Sequence, residues 1–304
     1  PWVMRRYFDR LKPKALVIVE TEIWPNMLAQ AMVAGVKTLF VNARLTEQAF
    51  RRYRWVRPLM EHVLERAMIL AISDADAGRF KALGAHVVEV FGNLKFDALQ
   101  AVNPDRAGRI RATLGCGERP VFIAGSVREG EERCVMDAVI AARLKVPGLF
   151  AIIAPRHPQS TPILIDMAQA AGLTWGLRSK SSQAADLLII DTMGELFDLY
   201  GASQAAFVGG SLVPLGGQNI LEPLAWGVPT MHGPHMDNFL WAMDVVKDCT
   251  IVVENAAALG KAIGEVLASP EEYAPRSQAA REALEKAQGA TARYADAILD
   301  KARA

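Results

Sequence analysis

The chain has 304 residues, 51% hydrophobic and 22% charged, with a net charge of +1. That length exceeds the roughly 100–200 residues of one domain and predicts two; the apolar share excludes a disordered protein, and the balanced charge gives no case for nucleic acid as a partner. Cys116, Cys134 and Cys249 are odd in number and far apart, so they signal neither a disulfide framework nor a zinc site.

Charge is uneven along the chain. Between Pro1 and Leu70 stand 12 Lys/Arg against 6 acids, a local balance of 12 − 6 = +6, so any basic partner surface is N-terminal. There is no run of about 18 apolar residues and no secretory leader. The chain opens on Pro1 with a helix signal and no preceding strand, which reads as an internal fragment whose start, with any membrane anchor, lies outside it.

Short apolar runs alternate with helical stretches. They are Ala15–Val19, Thr38–Val41, Met68–Ile72, Val87–Phe91, Val121–Ala124, Leu149–Ala154, Leu187–Ile190, Ala205–Val208 and Thr250–Val253. Near-continuous Val/Ile/Leu/Phe strands between helices predict an α/β, doubly wound fold of parallel sheets. The period fades between Asn93 and Asp105 and the alternation restarts at Pro120, so two Rossmann-like domains in tandem with a cleft between them are expected. Ser269-Pro270-Glu271-Glu272 reads as a helix start, and a last helix runs roughly from Thr291 to Lys301.

Open parallel sheets bind ligands at the carboxyl ends of their strands. Glu20 and Glu22 follow the first strand, where they fit either a site or the dipole of a helix begun by Pro25. After the second come Arg44 and then Arg51, Arg52 and Arg54 among Phe50, Tyr53 and Trp55. That interleaving suits an anionic lipid head group or an ordinary solvated face. Lys95 stands alone at the junction. Ser126 lies in a Gly/Ser turn able to hold an anion, and Arg156 sits between prolines that fix it for phosphate or carboxylate. Met193, Gly194 and Glu195 precede another helix start. His232 and His235 have too little around them to hold a metal.

The stretch from Phe207 to Asn238 organises the second half. It carries two glycine pairs, Gly209-Gly210 and Gly216-Gly217, and a helix opened by Asn219 and closed at Gly227. The glycines free the backbone to approach a ligand, and the helix start offers unpaired N–H groups to an anion. Asn219 and Glu222 are spaced as in a capping box, yet Glu222 is equally placed to take two ribose hydroxyls. The glycines do not follow G-x-G-x-x-G, which argues against a dehydrogenase.

The motifs ETEIWPN (20–26), NARLTEQAFRRY (42–53), GNLKFD (92–97), APRHPQ (154–159), DTMGEL (191–196), FVGGSLVPLGGQNILEP (207–223) and GPHMDNF (233–239) together resemble those of the 3-deoxy-D-manno-octulosonic acid (Kdo) transferases. These are inverting GT-B glycosyltransferases that move Kdo from CMP-Kdo to a lipid A precursor. The resemblance implies no cofactor and no metal, with residues 1–97 as part of the acceptor-side domain and 98–304 as the donor domain, the last helix able to pack back on the first. It implies Lys95 and Arg156 at the donor's phosphate or carboxylate, Met193, Gly194 and Glu195 near cytosine, Asn219 and Glu222 at phosphate and ribose, and Ser126, Ser211, Gly216 and Gly217 around the donor. Glu20 and Glu22 fall on the acceptor side, Arg44, Arg51, Arg52 and Arg54 on the acceptor or membrane surface, and the general base in a segment outside the chain. The partners implied are CMP-Kdo, an anionic lipid A precursor and the cytoplasmic face of the inner membrane. Two departures stand out: Gln218 where the family usually has His, and SVREGEE (126–132) where it usually has a Thr-His pair before the glycine. The alternatives are another GT-B nucleotide-sugar transferase or epimerase, or a non-catalytic nucleotide-sugar-binding fragment.

Overall fold

The computed structural model describes residues 2–180 and 186–303. The chain forms two compact units, Pro1–Ala98 with Lys286–Ala304, and Leu99–Glu285. The division falls after Ala98, and the segment from Lys286 onward, which holds the last helix, belongs with the first unit, so the second ends at Glu285.

The first unit runs α1 (Trp2–Leu11), β1 (Ala15–Val19), α2 (Pro25–Val33), β2 (Lys37–Ala43), α3 (Glu47–Arg54), α4 (Arg57–Leu64), β3 (Ala67–Ala71), α5 (Asp74–Ala82) and β4 (Val87–Val90). Its four strands pair in parallel in sequence order. Pro25 opens α2 at its first turn, where its missing N–H costs nothing, and the Thr46 and Ser73 hydroxyls cap α3 and α5. One apolar cluster gathers Ile18, Leu28, Phe40, Leu64, Ile69 and Phe80; a second joins Val41 and Leu70 to Ala290 and Tyr294 of the C-terminal helix.

The second unit runs α6 (Pro104–Thr113), β5 (Val121–Val127), α7 (Glu132–Lys145), β6 (Phe150–Pro155), α8 (Thr161–Ala170), β7 (Trp175–Leu177), β8 (Leu187–Ile189), α9 (Leu196–Gly201), β9 (Ala205–Val208), α10 (Leu221–Ala225), β10 (Thr230–His232), α11 (Leu240–Val246), β11 (Ile251–Val252), α12 (Ala256–Ala268) and α13 (Pro270–Ala287), which carries the chain back to the first unit for α14 (Ala290–Arg303). Its seven strands are parallel, in the order β11-β10-β9-β5-β6-β8-β7. Separate apolar clusters cover the two faces, one around Phe122, Val139, Ile153 and Ile263, the other around Ile123, Ile152, Leu199 and Tyr200. The order reverses between β5 and β9, so the crevice beyond their carboxyl ends is the place such a sheet offers a ligand.

The helix expected from Asn219 to Gly227 is shorter. Asn219 stays outside it, its Oδ1 accepting the Leu221 N–H at 3.2 Å, and Gly227 ends the turn at φ +70°.

Candidate active site

A cleft of ≈ 370 Å³ opens in the second unit, within the roughly 300–1,000 Å³ of small-ligand pockets. Ser126, Pro155, Arg156 and Ile190 line it from the ends of β5, β6 and β8. Met193 and Gly194 form one lip, Phe197 and Tyr200 of α9 form the wall, and Gln218, Asn219 and Glu222 complete it, with Gln100 and Phe239 at its margins.

Strand bulging sets the entrance. Pairing of β5 with β6 shifts between Gly125 and Val127, and Ser126 in the gap takes φ +55°, a left-handed conformation that costs a non-glycine residue of order 1–3 kcal/mol. Gly125 lies flat against the Tyr200 hydroxyl, leaving no room for a Cβ. Arg156 is exposed, and its N–H donates to Val127 O at 2.8 Å, which ties the Arg-bearing turn to the bulge.

Glu222 is half-buried and accepts from the Asn219 side-chain amide at 2.9 Å. Burial pushes its carboxyl above the ordinary range, while Asn219 and the Arg156 charge pull the other way. Tyr200 is fully buried, and burial reinforced by the Glu222 charge pushes its phenol well up. The two together present a carboxyl group poised as a hydrogen-bond acceptor beside an exposed guanidinium, on a wall of aromatic carbon. This arrangement can hold hydroxyls, an anion and a planar ring at once.

The glycine stretch is built differently from its sequence reading. The Glu131 carboxyl, 0% exposed, accepts from the N–H groups of Arg128 (3.0 Å), Gly210 (2.6 Å), Ser211 (2.9 Å) and Leu212 (2.8 Å). Gly217 N–H donates to Gly210 O and Gln218 N–H to Gly209 O. The amides of Gly210, Ser211, Leu212, Gly217 and Gln218 therefore serve the protein, not an external anion. Close approach is likewise internal: Gly209 lies on the Ser126 backbone, Gly216 on Asn238 and Gly217 on Met236. Ser211 is fully buried, donating to Val208 O and accepting from Gly233 N–H.

Of the donor candidates, Ser126, Arg156, Met193, Gly194, Asn219 and Glu222 line the cleft; Ser211, Gly216 and Gly217 support it from behind. Glu195 is engaged by Arg178 at 2.9 Å and by the Thr192 hydroxyl. Lys95 belongs to the first unit, exposed on a single turn capped by Asn93. Tyr200, Phe197 and Glu131 were absent from the sequence candidates. Only the SVREGEE turn hinted at Glu131, and its partners stand 79 to 81 positions away.

In the first unit the strand ends again carry left-handed residues, Glu20 at φ +62° and Asn42 at φ +52°. Glu20 N–H donates to Val41 O, and Asn42 Oδ1 accepts the Leu94 N–H at 3.0 Å. Glu20 and Glu22 are both exposed, the latter accepting from the Trp24 indole N–H at 3.1 Å. Arg44 is half-buried, with its main chain bonded to the Thr21 hydroxyl; Arg51, Arg52 and Arg54 are exposed on α3. Arg54 stacks over Phe50, and a shallow hollow is lined by Arg51, Arg54 and the 89%-exposed Trp55. No helix among the described residues is long and apolar enough to cross a membrane.

Residues 1–98 match the family model described as 3-deoxy-D-manno-octulosonic-acid transferase (kdotransferase). A 3-deoxy-D-manno-octulosonic acid transferase of Bordetella pertussis is 35% identical, the match covering 99% of this chain and 72% of that protein. The corresponding protein of Haemophilus influenzae is 30% identical, over 98% of this chain and 72% of its own. Among solved structures, the C-terminal CMP-Kdo binding domain of WaaA from Acinetobacter baumannii aligns with a TM-score of 0.56 and 29% identity, over 60% of this chain and 97% of that one. Anabaena HepE in complex with UDP aligns at TM-score 0.60 over 97% of this chain and 82% of its own; at 13% identity that likeness concerns the fold alone.

Proposed function

The chain belongs to the 3-deoxy-D-manno-octulosonic acid transferase family, a glycosyltransferase of GT-B fold, and we propose that it takes Kdo from CMP-Kdo and places it on an anionic lipid A precursor. The observation that carries this reading is one cleft holding Arg156, Asn219 and Glu222 at the carboxyl ends of a parallel sheet. Glu222 and Asn219 hold the ribose and phosphate, Arg156 the phosphate, and Met193 and Gly194 the edge and face of cytosine.

An acceptor hydroxyl attacks the anomeric carbon, its proton passing to a base, as the bond to CMP breaks with inversion. Charge grows on the departing phosphate, and Arg156 offsets it in a partly dry pocket. A monophosphate carries less charge than a diphosphate, so no metal is required in principle. The acceptor's anionic head meets Arg44, Arg51, Arg52 and Arg54, with Glu20 and Glu22 on the same side, at the cytoplasmic face of the inner membrane.

Arg156→Ala is expected to weaken CMP binding by about 1.5–3 kcal/mol, the scale of hydrogen bonds to a charged group. Calorimetry with unchanged affinity in a folded variant would remove Arg156 from the site. Incubation with CMP-Kdo or UDP-sugars, with product masses read out, separates Kdo transfer from other nucleotide-sugar chemistry.

A further inference from the structure

The two places where the sequence departs from its family resemblance meet in the structure. A Cβ added at Gly210 would touch Arg128 Cγ at 3.2 Å on one side and the Gln218 side chain at 3.4 Å on the other. Gln218 lines the cleft, and so does Ser126, two residues before Arg128. Arg128 is also the neighbour of Arg156 across the sheet, because Arg156 N–H donates to Val127 O. The ends of β5 and β6 thus bring two arginines to neighbouring positions, Arg156 lining the cleft and Arg128 outside its lining, beside the Gln218 that does line it.

Among the described residues neither forms an ion pair, and only Arg156 acts on a cleft carboxyl, that of Glu222. Arg128 Nε is buried without a hydrogen-bond partner. Both carboxyls bonded to this turn are already engaged: Glu131 accepts four N–H groups, and Glu132 accepts the Gly130 N–H and the Ser160 hydroxyl. A buried, unpaired N–H on a permanent cation is costly unless a ligand meets it. Two arginines at neighbouring positions suit a ligand with two separate anions.

From this we infer that Arg128 is a specificity-determining residue that takes the second anion of the donor, the carboxylate of its acidic sugar, while Arg156 takes the phosphate. The inference rests on the proposed donor, a nucleotide bearing both a phosphodiester and a sugar carboxylate. Gln218, neutral and adjacent, leaves the Arg128 charge free for that anion and adds an amide donor beside it.

The test compares Arg128→Ala with Arg156→Ala, using CMP, which lacks the carboxylate, in calorimetry and CMP-Kdo with lipid A precursor in initial-rate assays. Arg128→Ala is expected to leave the CMP Kd within about twofold and to raise KM for CMP-Kdo about tenfold or more; Arg156→Ala weakens both. Arg128→Lys, which keeps the charge but not the planar fork, should recover part of the loss, and Arg128→Gln replaces the alanine variant if that one melts early. An unchanged KM in Arg128→Ala, or an equal loss for CMP and CMP-Kdo, overturns the assignment alone. Absence of CMP-Kdo binding by the unmodified protein in calorimetry overturns the donor reading and this inference with it.

Discussion

Both units place left-handed, non-glycine residues at strand ends, Ser126 in one and Glu20 and Asn42 in the other, yet what surrounds them differs. Around Ser126 the neighbours are internal and tight: Gly209 on its backbone, Tyr200 under Gly125, and Glu131 holding the glycine loop. Around Glu20 the side chains face water, and the nearby α3 presents arginines and Trp55 to solvent. Preorganisation suits a small, multiply charged donor whose ordering entropy has to be kept low, whereas an open basic and aromatic face suits a large amphiphile. The difference between the units is one of close internal contact against open exposure at the strand ends.

The largest expected effect lies on the tightly packed side. In Glu131→Gln one amide oxygen replaces two carboxyl oxygens, leaving two of the four buried or part-buried N–H groups without an acceptor at roughly 1–3 kcal/mol each. Thermal melting should drop by several degrees and CMP affinity should fall with it, since the loop carries Gln218 and Asn219; a variant with native melting and native CMP affinity would show that the clamp is not what shapes the cleft. On the open side, neutralising Arg51, Arg52 and Arg54 together to Gln should leave melting nearly unchanged but weaken binding to anionic vesicles by about 1 kcal/mol per charge, less at high salt. Equal vesicle binding by variant and parent would reduce α3 to a solvated face and break the contrast.

The smallest effect concerns Glu222, and its sign is the informative part. Burial raises its folded pKa, so its contribution to stability is fully present below the unfolded value and is lost as pH rises through the folded one. Glu222→Gln keeps the oxygen that accepts from Asn219 and removes the titration. Its melting temperature should therefore match the parent near pH 4 and exceed it near pH 7, while CMP affinity falls at neutral pH. A parent–variant difference that does not grow with pH would assign Glu222 a packing role only.

The alternation of Val/Ile/Leu/Phe runs with helices announced the parallel sheets, and Pro25 and Pro270 marked helix starts where they occur. Strand β7 was not legible, because Trp175–Leu177 is three residues long and pairs only through β8. Arg156, Asn219 and Glu222 could be picked from strand-end position and spacing, since local backbone direction suffices to aim them into the cleft. Glycine spacing misled for a physical reason: whether an amide faces a ligand or a carboxyl group from 80 residues away is a tertiary fact. The capping-box spacing of Asn219 and Glu222 was real, but the bond runs from one side chain to the other, which leaves Glu222 on the cleft wall.

The return of α14 to the first unit fixes an order of events during synthesis. Tyr294 is 3% exposed, its hydroxyl donating to Gly92 O at 2.8 Å, and with Ala290 it covers Val41 and Leu70. A chain emerging from the ribosome makes the four-stranded sheet first, but one face stays bare until α14 follows. The second unit, uninterrupted from Leu99 to Glu285, can close its own core before that. The first unit therefore waits for a segment made after the second, so a chain ending at Glu285 should bind an apolar dye at its first unit and lose that unit to protease, while its second unit resists.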